Sequence, residues 1–448
     1  MEGVISKTLL KDAASLYVGR GLNLFIGLFS TFFYGVIFPA SGIAQISLFE
    51  MLVNFAISLG FTWTTTGLVR FGKSEYTQSG SISKTSSIRT LILVPSFAAV
   101  LVLAYVFMEE IYDYVGLEAG AIVLLLVVNI VLLAIHEHVT YLQTTTEEHT
   151  KNVIYYLGLG ITKCLILFLL YLKIVPATVT VYLSMTIIGL LLLLIARLPY
   201  VKKKSYRPFI QPDREEVVKY VKYCAPQILG FAGIFIINWI DLFFLRKYCT
   251  FEEIGSYQFL YSIFLKLASF SIILNTLFFP RIMYWKEENS EKIRTYVSKA
   301  PIAVMSIIFV LVAIFIVLYL NIFPLLFGEK FSGSYSSFNI LLTSLPFYFS
   351  SYLFIPLLNS YDKIKEIQFI NIICSMTNLI IDYAFIPKYG VIAAANATFI
   401  AYFVQFIIMR NISFKIINTD KKYTFQYLFI FVAVFTFNLH NTILHFGK

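Results

Sequence analysis

Charged residues are scarce in this sequence. Only 13% of its 448 residues are Asp, Glu, Lys or Arg, against about 25% in an average soluble protein, and 58% are hydrophobic. A soluble fold cannot bury that much apolar surface, and the apolar runs exceed the ~20 residues that cross a bilayer. The sequence therefore predicts an integral membrane protein with an all-α fold, and its net charge of +10 does not indicate a nucleic-acid partner.

Motifs for enzymatic chemistry are also missing. The four cysteines have no paired spacing, and no P-loop, GxSxG or GxGxxG motif occurs. The histidines of His136-Glu137-His138 stand at i and i+2, on different helix faces, and so lack the i, i+4 spacing of a helical zinc motif. A metal site there is conceivable, but a helix end is the ordinary explanation. We therefore predict no enzymatic activity and no cofactor, with H⁺ or Na⁺ as candidate coupling ions.

Apolar windows predict twelve membrane spans and a weaker thirteenth. They lie near 13–38, 42–66, 88–108, 118–140, 153–173, 177–198, 217–245, 253–280, 299–322, 334–358, 364–386 and 389–410, with the short one near 424–440. With the N-terminus inside, cytoplasmic segments carry 26 Lys and Arg and the opposite side six. The positive-inside rule therefore predicts a multi-pass membrane protein with a cytoplasmic N-terminus.

An internal repeat runs through the chain. The span starts at 42, 88 and 153 recur at 253, 299 and 364, a constant offset of 211, which also carries Arg70 onto Arg281 and Pro176 onto Pro387. Because six spans per half is an even number, the two halves form a parallel repeat. The predicted organisation is an N-terminal lobe (1–198), a basic cytoplasmic linker (199–216), a C-terminal lobe (217–410) and an extension (411–448) with one further possible span.

Six spans carry a polar stripe along one helical face. The stripes belong to the first, second, fifth, seventh, eighth and eleventh spans and contain, among others, Arg20, Asn23, Glu50, Lys163, Asp241, Lys266, Asn378 and Asp382. Ionisable groups are costly in hydrocarbon, so stripes in both lobes predict a hydrated central cavity, as in a transporter. The alternative is that they are hydrogen-bonding contacts between helices, with Arg20 and Glu50 as a structural ion pair.

Short proline-containing segments suggest bending points. Pro95, Pro226, Pro346 and Pro356 fall inside predicted spans, where each frees a backbone carbonyl and permits a kink. Proline is also common in membrane helices that do not bend in function, so a packing role is the alternative for each position.

Three stretches resemble polysaccharide flippases of the O-antigen type, within the multidrug/oligosaccharidyl-lipid/polysaccharide (MOP) exporter superfamily. The first is Asn378 followed by Ile386-Pro387-Lys388-Tyr389-Gly390-Val391-Ile392-Ala393-Ala394-Ala395 and Thr398, where Ala393 replaces the usual glycine. The second is Leu325-Leu326-Phe327-Gly328-Glu329-Lys330-Phe331, and the third is Gly67-Leu68-Val69-Arg70. The resemblance implies two six-helix bundles forming a V, with spans 1, 2, 7 and 8 lining the cavity.

The resemblance also implies a function. It is the export of an undecaprenyl-diphosphate-linked oligosaccharide across the bacterial inner membrane by alternating access, for O-antigen or capsule synthesis. The bilayer and other polysaccharide-assembly proteins are the implied partners. A multidrug or peptidoglycan-precursor exporter of the same fold is the close alternative. A membrane polymerase or ligase acting on the same carrier is disfavoured, because its sugar site would need a larger outer loop than 109–117 or 323–333.

The candidate substrate-binding and coupling residues are polar or charged members of the polar stripes. Arg20, Asn23, Lys163 and Lys266 are the predicted substrate-binding residues, because cations suit a diphosphate and Arg20 can grip phosphate oxygens bidentately. The carboxylates Glu50, Asp241 and Asp382 are the predicted coupling or gating groups, since a carboxylate beside a wet cavity can exchange a proton or bind sodium.

Overall fold

The computed structural model describes residues 7–117, 122–202, 210–288, 290–418, 431–438 and 440. Within these ranges the chain is helical throughout, apart from short turns. The helices are α1 (Lys7–Ile37), α2 (Ala40–Gly60), α3 (Thr65–Ser79), α4 (Ser83–Val106), α5 (Met108–Val115), α6 (Ile122–Thr145), α7 (His149–Tyr171), α8 (Val179–Lys202), α9 (Arg214–Cys224), α10 (Gln227–Tyr248), α11 (Phe251–Ser269), α12 (Ser271–Glu288), α13 (Ser290–Phe327), α14 (Tyr335–Ser360) and α15 (Ile364–Ile417).

Ten helical stretches of the described ranges are long and apolar enough to cross a membrane. The last of them, Ile364–Ile417, has 54 residues, about twice the length that one crossing needs, and contains both the eleventh and the twelfth predicted spans. The first predicted span corresponds to α1, whose apolar part is Gly21–Ile37. The predicted all-α membrane architecture is therefore confirmed. Of the thirteenth span, residues 431–438 are helical, and 424–430 lie outside the described residues.

The chain divides into two compact units. Unit 1 contains residues up to Phe38 and Gln45–Phe235, and unit 2 contains Pro39–Ala44 and Ile236–Lys448. The division falls inside α10, whereas the sequence places the joint between lobes at 199–216. The predicted lobe limits stay a prediction.

Corresponding helices of the two sequence halves begin and break at related positions. α2 begins at Ala40 and α11 at Phe251, which reproduces the offset of 211. The second predicted span of each half is interrupted, by a 3-10 turn at Thr62–Thr64 after α2 and at Phe270 after α11. The second span of each half is therefore a broken helix, a feature that the hydropathy windows did not predict.

Helix ends are set by recognisable local signals. Thr250 and Glu253 form a reciprocal capping box at the start of α11, which satisfies two backbone donors that lack helical partners. Within α15, Gly390 has φ 53° and ψ −137°, a backbone conformation that glycine adopts without steric cost, and it breaks the helix into two parts. Pro226 lies between α9 and α10 and separates them. Pro226 thus interrupts the membrane-length stretch Arg214–Tyr248 at the position where the sequence predicts a kink.

Unit 1 is held together by two groups of helices. α1 packs along α7, where a Cβ on Gly160 would lie 3.1 Å from Asn23 Oδ1 and 2.9 Å from a methyl carbon of Ile26. In the second group, α9 packs on α3, where a Cβ on Gly67 would lie 2.4 Å from Cys224 Sγ. Small residues at these crossings allow the close backbone approach that is typical of membrane helices.

Unit 2 is built around α14, which contacts α11, α12, α13 and α15. Most of its residues are buried, and its serines form hydrogen bonds within α14 or to a neighbouring helix. Ser351 Oγ donates to Phe347 O of the same helix, and Ser350 Oγ donates to Pro301 O on α13. Aromatic rings of α14 and α15 also pack together, with Tyr348 and Tyr402 at 4.5 Å between ring centroids. The core of this unit is therefore a helix surrounded by helices.

We expect Gly255→Ala to destabilise unit 2 strongly. A Cβ at this position of α11 would lie 1.6 Å from Ala40 O, so the backbone of the first turn of α2 would have to move. Overpacking of this kind costs roughly 1–3 kcal/mol or more. The measurement is the thermal unfolding midpoint of the purified protein in detergent. Gly230→Ala on α10 is the control, since nothing lies within 4 Å of its added Cβ, and an equal midpoint for both variants would contradict the close crossing.

Candidate functional site

A charged cluster within unit 1 joins α2 and α7. Lys163 Nζ lies 3.7 Å from Glu50 Oε1, and both side chains are about two-fifths exposed, at 41% and 43%. Lys163 also lies 5.9 Å from the ring centroid of Tyr34 and interacts with Tyr182. The structure thus brings together one predicted substrate-binding residue and one predicted coupling residue. Glu50 pairs with Lys163, which gives it a partner other than the Arg20 of the structural alternative.

The other predicted substrate-binding residues lie at different places. Asn23 is exposed on α1, beside Gly160 of α7. Lys266 lies on α11 in unit 2, where its Nζ donates to Ser262 O at 3.4 Å. Arg20 falls on α1, but its side chain lies outside the described residues. The predicted role of these cations in binding stays a prediction.

Unit 2 contains two buried carboxylates, both predicted from the sequence as coupling groups. Asp241 on α10 is 3% exposed and accepts hydrogen bonds from Tyr257 Oη at 3.0 Å and from Leu242 N at 2.8 Å. Asp382 on α15 is fully buried, and neither of its carboxylate oxygens has a hydrogen-bond partner in the described part of the chain. The two carboxylates are close enough to interact electrostatically.

Neutral polar groups surround these carboxylates. Tyr257 and Tyr261 are stacked with their ring centroids 5.7 Å apart, and both interact with Asp241 and Asp382. Asn378 lies one helical turn before Asp382, and its buried Oδ1 has no hydrogen-bond partner among the described residues. An unpaired buried carboxylate is unfavourable by several kcal/mol, so a proton or a bound cation would stabilise this cluster. We name Asp241, Asp382, Tyr257 and Asn378 the carboxylate cluster.

A second ionic network is buried in unit 1 at the broken end of α2. Arg89 is fully buried, and its Nε donates to Thr64 Oγ1 at 2.8 Å while its Nη2 donates to Glu137 Oε2 at 3.1 Å. Arg89 Nη1 donates to His138 Nδ1 at 2.9 Å, which assigns the proton of that ring to Nε2 beside Ser86 Oγ. The network joins α4 and α6 to the turn after α2 and leaves Glu137 and His138 occupied with structural bonds.

Arg197 on α8 is also buried. Its guanidinium donates to Gln143 Oε1 at 2.5 Å and to Asn152 Oδ1 at 2.8 Å, and it covers the ring of Tyr155 at 4.0 Å. His136 faces this side, donating from Nε2 to Leu190 O at 2.8 Å. His136 and His138 therefore point to different partners, as their spacing predicts, and the described residues contain no cluster of three or more His, Cys, Asp or Glu side chains suited to a metal ion.

The sequence interpretation missed these two arginines. Arg89 and Arg197 were counted among the loop cations that set orientation, yet both are buried in hydrogen-bond networks. Their positions at predicted span ends gave no signal, because burial depends on which polar groups of other helices reach them. Several stripe residues also serve their own helix: Asn54 Nδ2 donates to Glu50 O, and Ser375 Oγ donates to Asn371 O. Part of the polar stripes is therefore structural.

The comparisons with known proteins agree on the fold. A family model described as lipid II flippase MurJ matches residues 159–446. No curated protein sequence matches the chain. A solved structure of the lipid II flippase MurJ, in an inward closed conformation, superposes with a TM-score of 0.69 at 15% identity and covers 97% of this chain and 98% of that chain.

Two transporter structures of the MOP superfamily are also similar. An inward-facing multidrug resistance MATE family transporter gives a TM-score of 0.66 at 14% identity, covering 88% of this chain and 94% of that one. A transporter from Pyrococcus furiosus, whose binding pocket is described as having reversed polarity, gives a TM-score of 0.54 at 14% identity, with coverages of 91% and 96%. At such identities these likenesses show the fold alone.

Proposed function

Because the chain belongs to the family of the lipid II flippase MurJ, we propose that it moves a lipid-linked peptidoglycan precursor of the lipid II class across the cytoplasmic membrane by alternating access. The observation that carries the proposal is the family match over residues 159–446, together with a MurJ-like fold over 97% of the chain. The family consists of transporters, in agreement with the prediction of a protein without enzymatic activity. The proposed orientation keeps the N-terminus and the basic segments in the cytoplasm.

The family match favours the alternative reading of the sequence over its leading one. The motifs identified the MOP superfamily, and membership in that superfamily is supported by both the family model and the MATE-like neighbours. The O-antigen type within the superfamily is not supported. Short motifs at span ends report a shared fold and topology, which explains why they identified the superfamily and not the subgroup.

Lys163 is the proposed contact for the phosphate groups of the substrate. A diphosphate brings about two negative charges into a medium of low effective dielectric, where a well-placed cation is valuable. In the structure Lys163 is partly neutralised by Glu50 at 3.7 Å, a separation too long for a strong hydrogen bond. A phosphate oxygen can therefore replace the Glu50 carboxylate as the partner of Lys163. Asn23, Arg20 and Lys266 remain proposed contacts on the basis of the sequence.

The carboxylate cluster is the proposed site of the coupling ion. Two buried carboxylates, an amide oxygen and a tyrosine hydroxyl offer oxygen ligands for Na⁺, or a place for a proton. The carboxylate oxygens of Asp382 that lack hydrogen-bond partners in the described residues are the observation that supports this role. Binding of a cation there would favour one conformation and so couple an ion gradient to transport.

Complementation tests the substrate. We expect the gene to restore growth to bacteria depleted of their own lipid II flippase, and to leave a strain that lacks its O-antigen flippase without surface polysaccharide. The Asp382→Asn variant, produced at equal level in the same membranes, is the inactive control. If the gene restores surface polysaccharide but not growth, the lipid II proposal is refuted and an O-antigen substrate is favoured.

We expect Lys163→Ala and Glu50→Gln to change transport in opposite ways. Loss of a charge-assisted contact of ~1.5–3 kcal/mol lowers substrate affinity roughly 10- to 100-fold, so Lys163→Ala should bind substrate more weakly. Glu50→Gln removes the competing anion and should bind it more tightly. The measurement is binding of fluorescent lipid II to the purified protein. Lys151→Ala, on the first turn of α7, is the control, and equal affinities for all variants would exclude Lys163 from the site.

A further inference from the structure

A polar pocket of about 500 Å³ opens in unit 2, at the end of the helices opposite the basic loops. It is lined by the end of α10, the first turns of α11, the turn before α14 and the break in α15. Its lining includes Cys249, Glu252, Ser256, Lys388 and Gly390. We name it the outer pocket, and nothing in the proposed transport of lipid II uses it.

Two residues that line the outer pocket are close in the chain to members of the carboxylate cluster. Ser256 lines the pocket, is 6% exposed, and its hydroxyl has no hydrogen-bond partner among the described residues. The next residue, Tyr257, donates to Asp241. Ile386 also lines the pocket and stands four residues, or ~6 Å of helix, beyond Asp382. On α15, therefore, the pocket lining lies about one helical turn from Asp382, and on α11 it lies one residue from the tyrosine that bonds to Asp241.

Backbone and side-chain charges at the pocket suit a small cation. The break at Gly390 creates the C-terminal end of a half-helix, which carries partial negative charge on its carbonyl groups. Cys249 lies at this break, since its sulfur would be 3.2 Å from a Cβ on Gly390. Glu252 adds a carboxylate at the mouth. Lys330 and Lys388 also line the pocket, and Glu252 together with Glu253 balances their two positive charges.

We propose that the outer pocket is the water-filled entrance through which the coupling cation, Na⁺ or H⁺, reaches Asp241 and Asp382 from the outer side of the membrane. The Ser256 hydroxyl, which has no hydrogen-bond partner among the described residues, is an oxygen available to the ion between Glu252 and the carboxylate cluster. This inference rests on the proposed function, because it presupposes that the carboxylate cluster binds a cation.

Chemical blocking of Cys249 tests the entrance. The variant keeps Cys249 as its single cysteine and Trp239, two residues before Asp241, as its single tryptophan. The purified protein is treated with a cationic methanethiosulfonate, and the adduct is counted by mass spectrometry. Stopped-flow Trp239 fluorescence then follows two reactions: mixing with Na⁺ at constant pH, and a pH jump in choline buffer. A protein with Cys164 as its only cysteine, labelled in unit 1, is the control.

We expect one adduct on Cys249. The Trp239 fluorescence change, after Na⁺ mixing or after the pH jump, should then be at least tenfold slower than in the unlabelled protein. Its final amplitude should be unchanged. The absence of an adduct would overturn the proposal, since the pocket would then be closed to water. An unchanged rate of the Trp239 fluorescence change after labelling would overturn the proposed entrance and leave the cation-coupling role intact. No response of the unlabelled protein in either arm would overturn the cation-coupling role together with the entrance.

A second variant tests the entrance without a chemical label, which could itself disturb the structure. Glu252 is exposed at the first turn of α11, so Glu252→Lys is compatible with folding. Replacing a carboxylate by an ammonium at the mouth should slow cation entry roughly threefold to tenfold at low ionic strength, and the difference should shrink in high salt. The same substitution at Glu329, which does not line the pocket, is the control. Equal rates for both variants would contradict an entrance at the outer pocket.

Discussion

Asp382→Asn is expected to abolish ion-driven transport while the protein still folds. Asp382 is fully buried, its carboxylate oxygens have no hydrogen-bond partners in the described part of the chain, and Asp241 lies close by. Asparagine keeps the shape but removes the charge that a cation would balance. A binding contribution of ~3 kcal/mol corresponds to roughly a 100-fold loss, so we expect at least ~100-fold slower transport into proteoliposomes under an ion gradient.

Thermal unfolding separates this role from a structural one. A cation that binds only the folded protein at 100 times its Kd stabilises it by ~2.7 kcal/mol. Wild-type protein should therefore unfold at a higher temperature in saturating coupling ion than in choline, and Asp382→Asn should lose this difference. Without the ion, the variant should be as stable as wild type or more so, because an uncompensated buried carboxylate is unfavourable. Asp362→Asn, in the exposed turn before α15, is the matched control.

A strongly destabilised Asp382→Asn protein in choline would contradict this assignment. It would mean that the carboxylate holds the fold together by bonds to groups outside the described residues, and that it is not reserved for an ion. A variant that keeps both its stability and its ion response would move the coupling site to Glu50 or to another part of the chain.

Arg89→Met is expected to have the largest effect on stability. The guanidinium is fully buried and bonds to Thr64, His138 and Glu137. Removing one member of a buried ionic network leaves the other charge uncompensated, at a cost of ~3–5 kcal/mol. We therefore expect little folded protein in the membrane, measured as the monodisperse fraction after detergent extraction. Lys84→Met on the same helix breaks only the exposed pair with Glu216, and it should have almost no effect.

The double variant Arg89→Met, Glu137→Gln sharpens this expectation. If the loss arises from an unpaired Glu137 charge, neutralising that charge should restore a large part of the yield. If the double variant is as poor as Arg89→Met alone, the bonds to Thr64 and Phe61 at the turn after α2 are the important ones. A normal yield of the single variant would contradict the buried network itself.

The sequence by itself determined the class, the architecture and the candidate carboxylates. Apolar runs must cross the bilayer as helices, because no water is present there to bind unpaired backbone groups, so the all-α fold follows from the apolar runs alone. Asp241 and Asp382 were identifiable for the same reason, since a charge within an apolar run is too costly to persist without a function or a partner. The superfamily followed from local motifs that sit at helix ends.

The tertiary structure decided which polar residue meets which. Lys163 of α7 lies beside Glu50 of α2 in unit 1. The periodicity of polar residues along either helix cannot predict this distance between the two helices. Burial of Arg89 depends on the turn after α2 and on two residues of α6, which are 25 to 49 positions away in the chain. Helical phase reports only the face of one helix, whereas electrostatic free energy depends on distances between helices, and those are set when the helices pack.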